Sequence, residues 1–139
     1  FGELTNDIID DSTFEIAGDN WNGVFHYKDS ISRESSIHNH TGREGDVIDG
    51  WSGILYLNQD PPTNSGTSIW YCYENNQCYS YDSIYTNDLS SYVKLFEIDN
   101  RYNRLVLLRG CNFHQGSRGF GKTIDDARLF QTFFFNVKR

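Results

Sequence analysis

The feature that most constrains this chain is a recurrence of short apolar or alternating segments, separated by turn residues along almost its whole length. Side chains of a strand alternate between the two faces of a sheet, so this period indicates half-buried strands rather than amphipathic helices. Nine Tyr and ten Phe add to the bias, because aromatic residues fit a pleated surface. The chain is therefore predicted to be all-β, with at most a minor helix, as a sandwich or jelly roll.

The pattern predicts nine strands within a single domain that spans residues 1–139, since a chain of this length builds one core. Residues 6–11 suit either a short helix or an edge strand. The predicted strands are residues 13–17, 23–28, 36–39, 51–57, 68–73, 77–85, 92–99, 104–108 and 127–137.

Charge and hydropathy exclude several classes of partner. The formal net charge is -7, which argues against a nucleic-acid partner because such proteins concentrate Lys and Arg. No apolar run approaches the roughly 20 residues that cross a bilayer, so no membrane association is expected. The sequence does not indicate an oligomeric state.

The cysteine content and the start of the chain suggest a cellular context. Three Cys is a low and odd number, so we expect reduced, packed thiols and a cytoplasmic protein. The chain starts at Phe1 and contains no Met. These two facts lead us to expect an upstream segment of a longer gene product.

Three of the four histidines form the candidate site. His38 and His40 stand two positions apart on a predicted strand, so they share a face. His114 follows the apolar strand at 104–108, and antiparallel closure of a barrel would bring it opposite the pair. Neutral imidazole nitrogens suit Fe, Zn, Cu or Ni. We predict a metal site at these three residues, the alternative being unrelated polar residues near loops; His26 lacks a partner at ligand spacing.

Two further motifs bear on ligand binding. Residues 116–123 match the phosphate-binding pattern G-x-x-x-x-G-K-[ST], but a Phe-rich strand follows instead of a helix, which favours a Gly-rich turn. Arg128 begins that strand. A guanidinium there either faces a carboxylate, as a dicarboxylate cosubstrate would supply, or reaches solvent from an edge.

Taken together, these features resemble the Fe(II)/2-oxoglutarate-dependent oxygenases, in particular the prolyl-hydroxylase-like branch built on a double-stranded β-helix. The resemblance covers about residues 23–137, and the order and approximate spacing of the motifs agree. The motifs are His38-Asn39-His40 in place of His-X-Asp, residues 53–58 for a Tyr-Leu-Asn strand, residues 65–68 for a Gly-Gly-Thr turn, residues 103–108 for the strand before the distal His, then His114 and Arg128.

The resemblance implies an oxygenase with Fe(II) and 2-oxoglutarate as cofactors, acting on a prime substrate that the sequence does not identify. His38, His40 and His114 would hold the metal, and Arg128 would bind the distal carboxylate of 2-oxoglutarate. Tyr56 matches a Tyr that contacts the cosubstrate in some members.

His40 stands where the family has a carboxylate, and this departure leaves several outcomes open. The site takes another metal, recruits Glu44 or Asp46 from the following loop, or has lost activity. His38-Asn39-His40 followed by Glu44 also resembles the first cupin motif. The alternative function is thus a cupin-like or non-catalytic metal-binding β-helix module.

Overall fold

A computed structural model describes residues 8–10, 22–41 and 50–138, and these ranges contain ten strands and no helix. The prediction of an all-β chain is confirmed. Among these residues there is accordingly no helix that is long and apolar enough to cross a bilayer. The strands are β1 (Ile8–Asp10), β2 (Phe25–Lys28), β3 (Ile37–His38), β4 (Trp51–Tyr56), β5 (Thr67–Cys72), β6 (Tyr85–Thr86), β7 (Tyr92–Ile98), β8 (Leu105–Arg109), β9 (His114–Gly116) and β10 (Arg128–Lys138).

The strands form two antiparallel sheets. In the first sheet β10 pairs with β1, β2 and β4, and β8 lies beyond β4. In the second sheet the order is β6-β3-β9-β5-β7. From β2 to β5 successive strands alternate between the two sheets, as β7 to β10 also do, which is consistent with a jelly-roll-like arrangement.

Buried side chains lie on both faces of the second sheet. Ile37, Trp70, Cys72 and Phe113 form an apolar cluster on the face that points away from the first sheet, where Ile84 and Tyr92 pack against it. The hydroxyl of Tyr56 on β4 donates to Thr67 Oγ1 on β5 at 2.7 Å, which ties one sheet to the other. This inter-sheet space is where the histidines lie.

The strand prediction at 77–85 is wrong for most of its length. Only Tyr85 of this range lies in a strand, and Gln77 and Tyr79 make isolated bridges. The carbonyls of Ser80 and Asp82 point instead to the side chain of Asn39. The alternating aromatic residues of this segment therefore lie in an irregular connection and not in a continuous strand.

The remaining differences are smaller. Strand β9 lies where the sequence predicts no strand, and only its last residue, Gly116, falls in the predicted Gly-rich turn. In the range 6–11, for which a short helix or an edge strand was predicted, β1 is a strand. The predicted strand at 13–17 lies outside the described residues. Residues 117–127 are turns and loop that lead into β10, so the Gly-rich motif opens no helix. The three cysteines are free thiols.

Candidate metal centre

Strand pairing brings the distant histidines together. His38 on β3 lies directly opposite His114 on β9, as Cα partners of an antiparallel ladder. His40 follows two positions later and points to the same side. The ring centroids of the three imidazoles lie 4.3–5.0 Å apart in pairs. The predicted convergence of the three residues is therefore observed, and their ligand atoms all lie within 4.8 Å of one another.

Hydrogen bonds to backbone carbonyls fix which nitrogen of two rings carries the proton. Nδ1 of His38 contacts the carbonyl oxygen of Ser36 at 2.8 Å, and Nδ1 of His114 contacts that of Asn112 at 2.9 Å. A carbonyl oxygen only accepts, so each Nδ1 carries the proton and each neutral ring keeps its lone pair on Nε2. Such outer hydrogen bonds are what orient metal-binding histidines.

The Nε2 atoms of His40 and His114 are 3.2 Å apart. Two nitrogens that ligate one ion at 2.0–2.1 Å lie about 2.8–3.0 Å from each other in octahedral geometry and about 3.3–3.4 Å in tetrahedral geometry. The observed separation fits a shared divalent ion. Three neutral nitrogens are also a donor set that borderline metals such as Fe, Zn, Cu and Ni accept.

Burial keeps His114 neutral. Its side chain is 3% exposed. Desolvation, followed by the nearby His38, lowers its pKa from 6.5 to about 3, against a smaller raising effect of the Asn112 carbonyl. At neutral pH the lone pair on Nε2 is therefore free of a proton, which is the state that binds a metal.

Asn39, between the two site histidines, anchors their strand and was not predicted as a functional residue. Its side chain is 2% exposed and points away from the imidazoles. Nδ2 donates to the carbonyls of Ser80 and Asp82, both at 2.9 Å, and Oδ1 accepts from the amide of Ile84 at 2.9 Å. These bonds hold the segment extended, so that His38 and His40 keep a common direction.

A cavity of about 1100 Å³ extends from the histidines between the sheets. Its apolar walls include Trp51, Ile54, Phe130 and Phe134. The Phe134 ring lies 4.7 Å from that of His40, centroid to centroid. The volume suits a small-molecule ligand.

Arg128 lies at the cavity wall, buried rather than extended to solvent. It is 2% exposed, which rules out the alternative of an edge residue reaching water. Nε donates to the carbonyl of Ser65 at 2.7 Å and Nη2 to that of Gly66 at 3.0 Å. The guanidinium also stacks 4.6 Å from the Phe130 ring centroid. Burial lowers its pKa, but a guanidinium still carries its charge.

Tyr56 lies next to Arg128, with its ring centroid 5.9 Å from the guanidinium carbon. It is fully buried, and burial raises its pKa. Its hydroxyl donates to Thr67, a residue that itself lines the cavity. A role in cosubstrate binding stays a prediction.

Three other cavity residues carry polar groups that the sequence did not single out as functional. Lys28 and His26 share one face of β2, and His26 stacks on Phe130 while its Nε2 contacts Thr132 Oγ1 at 2.9 Å. Ser52 is buried on β4, and its Oγ has no hydrogen-bond partner among the described residues. The cavity therefore offers polar contacts besides the histidines and Arg128.

The loop carboxylates Glu44 and Asp46 lie outside the described residues. Comparison with protein-family models, with curated proteins and with solved structures found no match to this chain. The function is therefore argued from the geometry of the site.

Proposed function

We propose that this chain is an iron-dependent oxygenase that uses 2-oxoglutarate to oxidise a small, unidentified prime substrate. The observation that carries the proposal is the convergence of three imidazoles in a cavity that the buried Arg128 also lines. A set of metal-binding groups and a buried cation in one cavity are what a 2-oxo dicarboxylic acid requires.

Charge balance supports a dianionic cosubstrate. His38, His40 and His114 are neutral donors, so they leave both charges of a divalent ion uncompensated. Arg128 adds a third positive charge in a region of low dielectric, and no ion pair to it is found among the described residues. A ligand with two carboxylates, one at each end, offsets most of this charge.

In this proposal the side chains of the protein bind and orient the cosubstrate. Arg128 is pre-organised by the two backbone carbonyls of Ser65 and Gly66, so its remaining N–H donors have a fixed direction. The aromatic side chains of Phe130 and Phe134 add apolar surface to the cavity wall. Bound Fe(II) and 2-oxoglutarate would supply the oxidative chemistry.

Anaerobic titration tests the proposal. Protein loaded with Fe(II) should develop a visible charge-transfer absorption when 2-oxoglutarate is added, because the oxo acid end then chelates the metal. Arg128→Gln should weaken 2-oxoglutarate binding by about 10- to 100-fold, since a charge-assisted hydrogen bond is lost.

Arg118→Gln is the matched control. Its side chain is exposed at 70%, so 2-oxoglutarate affinity should stay unchanged. Circular dichroism of each variant is the control for folding. Absence of the absorption band in the wild-type protein, or an unchanged affinity in folded Arg128→Gln, contradicts the proposal.

A second candidate is a cupin-like or non-catalytic module that binds a metal without oxidising a substrate. The replacement of the expected acid by His40 favours it, because three neutral donors also form a good Zn(II) site. This candidate predicts strong stabilisation by Zn(II) and no absorption band with Fe(II) and 2-oxoglutarate.

A further inference from the structure

We propose that Lys28 and Arg128 together form one two-cation site for an oxyanion, a carboxylate or phosphoryl group, on the cavity wall formed by β2 and β10. This extends the proposed role of Arg128 and rests on it for the identity of the ligand, but it does not require the metal. Lys28 thereby becomes a binding residue that sets the charge the cavity accepts.

Strand pairing places the two cations side by side. Lys28 and Arg128 are Cα partners in the antiparallel ladder between β2 and β10, and both line the cavity. Residues directly opposite in such a ladder have Cβ atoms about 4.5–5.5 Å apart. Like charges at that distance destabilise a sheet unless something offsets them.

The two charged groups are directed to the same place by neighbouring backbone carbonyls. Lys28 Nζ donates to the carbonyl of Ser117 at 3.1 Å, and Arg128 Nη2 donates to that of Gly66 at 3.0 Å. The amide of Ser117 in turn donates to the same Gly66 carbonyl at 3.1 Å. The ammonium and the guanidinium are thus held by two chain segments that contact each other, and each keeps further N–H donors.

No carboxylate among the described residues pairs with either cation. The nearest acids act on them only at longer range and are engaged elsewhere. Glu34 Oε2 lies 3.8 Å from Arg118 Nε. Glu97 accepts from the Gly66 amide, and it pairs with Lys94 at 3.2 Å. The offsetting negative charge is therefore left to a ligand.

Space and electrostatics agree with this assignment. Gly116 lies beside the guanidinium, since a methyl group placed on it would lie 3.9 Å from Arg128 Nη1, and its lack of a side chain leaves space there. Burial, and then the charge of Arg128, lowers the pKa of Lys28 to about 8, while Glu34 opposes the shift. An anion bound between the two groups would offset the repulsion between their positive charges.

Calorimetric titration of the metal-free full chain with inorganic phosphate and with succinate tests the site. Neither probe carries the oxo acid end that chelates a metal. The wild-type protein should bind at least one of them, and Lys28→Gln should weaken that binding at least about tenfold. Lys122→Gln, which removes the same charge from an exposed position, should bind like the wild type.

The two probes distinguish the source of the anion. Preference for succinate identifies a carboxylate site, and preference for phosphate identifies a phosphoryl site. A second readout needs no variant: bound anion should protect Lys28, but not Lys122, from an amine-acylating reagent, as followed by mass spectrometry.

The inference is overturned if neither anion binds the wild-type protein, or if Lys28→Gln binds both as tightly as the wild type. These failures are separate from failure of the proposed function. A protein that binds succinate through Lys28 but gives no absorption band with Fe(II) keeps the anion site and loses the oxygenase.

Discussion

The buried imidazole of His114 should make the metal-free protein sensitive to mild acid. In the unfolded chain this group titrates near 6.5, whereas in the fold its pKa is lowered to about 3. Between these values the unfolded chain binds a proton that the folded chain does not. The free energy of unfolding therefore decreases as the pH is lowered from 6.5 towards 3. Above 6.5 both states are neutral and the full stability is present.

The size of the loss follows from the two pKa values. One pKa unit corresponds to about 1.4 kcal/mol. Lowering the pH from about 7.5 to about 5.0 should therefore remove about 2 kcal/mol through His114 alone. The full loss of about 5 kcal/mol is reached only near pH 3, where the carboxylates also titrate.

Urea unfolding at these two pH values, with a chelator present, measures the effect. His114→Asn is the test variant, because its amide stays neutral and can still donate to the Asn112 carbonyl. The wild-type protein should lose about 2 kcal/mol more than the variant between about pH 7.5 and about pH 5.0. Equal losses in the two proteins would refute the assignment of a neutral, buried His114.

Three further substitutions test the framework of the site by urea unfolding and circular dichroism. Asn39→Ala should cost about 2–4 kcal/mol, because the buried Asn39 side chain makes three hydrogen bonds to backbone groups that would all be lost; an unchanged midpoint would contradict this. Tyr56→Phe should cost about 1–2 kcal/mol by removing the hydroxyl that donates to Thr67, and no loss would show that the bond adds nothing. Gly66→Ala should prevent folding, since its methyl would lie 1.9 Å from the Ile98 carbonyl oxygen; a native spectrum would disprove it.

Much of the strand pattern was predictable because short apolar segments rich in aromatic and branched residues favour strands. Residues 51–57 and 92–99 are such segments, and the structure has strands at Trp51–Tyr56 and Tyr92–Ile98. Strand β9 was not predicted because three residues, one of them glycine, carry no alternation. It exists because its neighbours β3 and β5 pair with it.

The candidate site was also predictable in part. The spacing of His38 and His40 is local, so their shared face follows from strand geometry alone. The position of Lys28 beside Arg128 depends on a pairing between strands about a hundred residues apart. Nothing in the local sequence around Lys28 distinguishes it from a solvated lysine, so its place in the cavity emerges only from the fold.

The anchoring role of Asn39 likewise depends on distant residues. Its three partners lie in the connection at 80–84, where the sequence favoured a continuous strand. A strand there would have used those backbone groups in a ladder. The tertiary bonds to Asn39 therefore explain both the missed residue and the incorrect strand.

The central claim is that His38, His40 and His114 hold one divalent metal ion, and a crystal structure of the metal-loaded protein tests it most directly. Anomalous scattering should locate a single ion with the three Nε2 atoms at about 2.0–2.1 Å. An ion bound elsewhere, or one held by fewer than three of these imidazoles, would contradict the account.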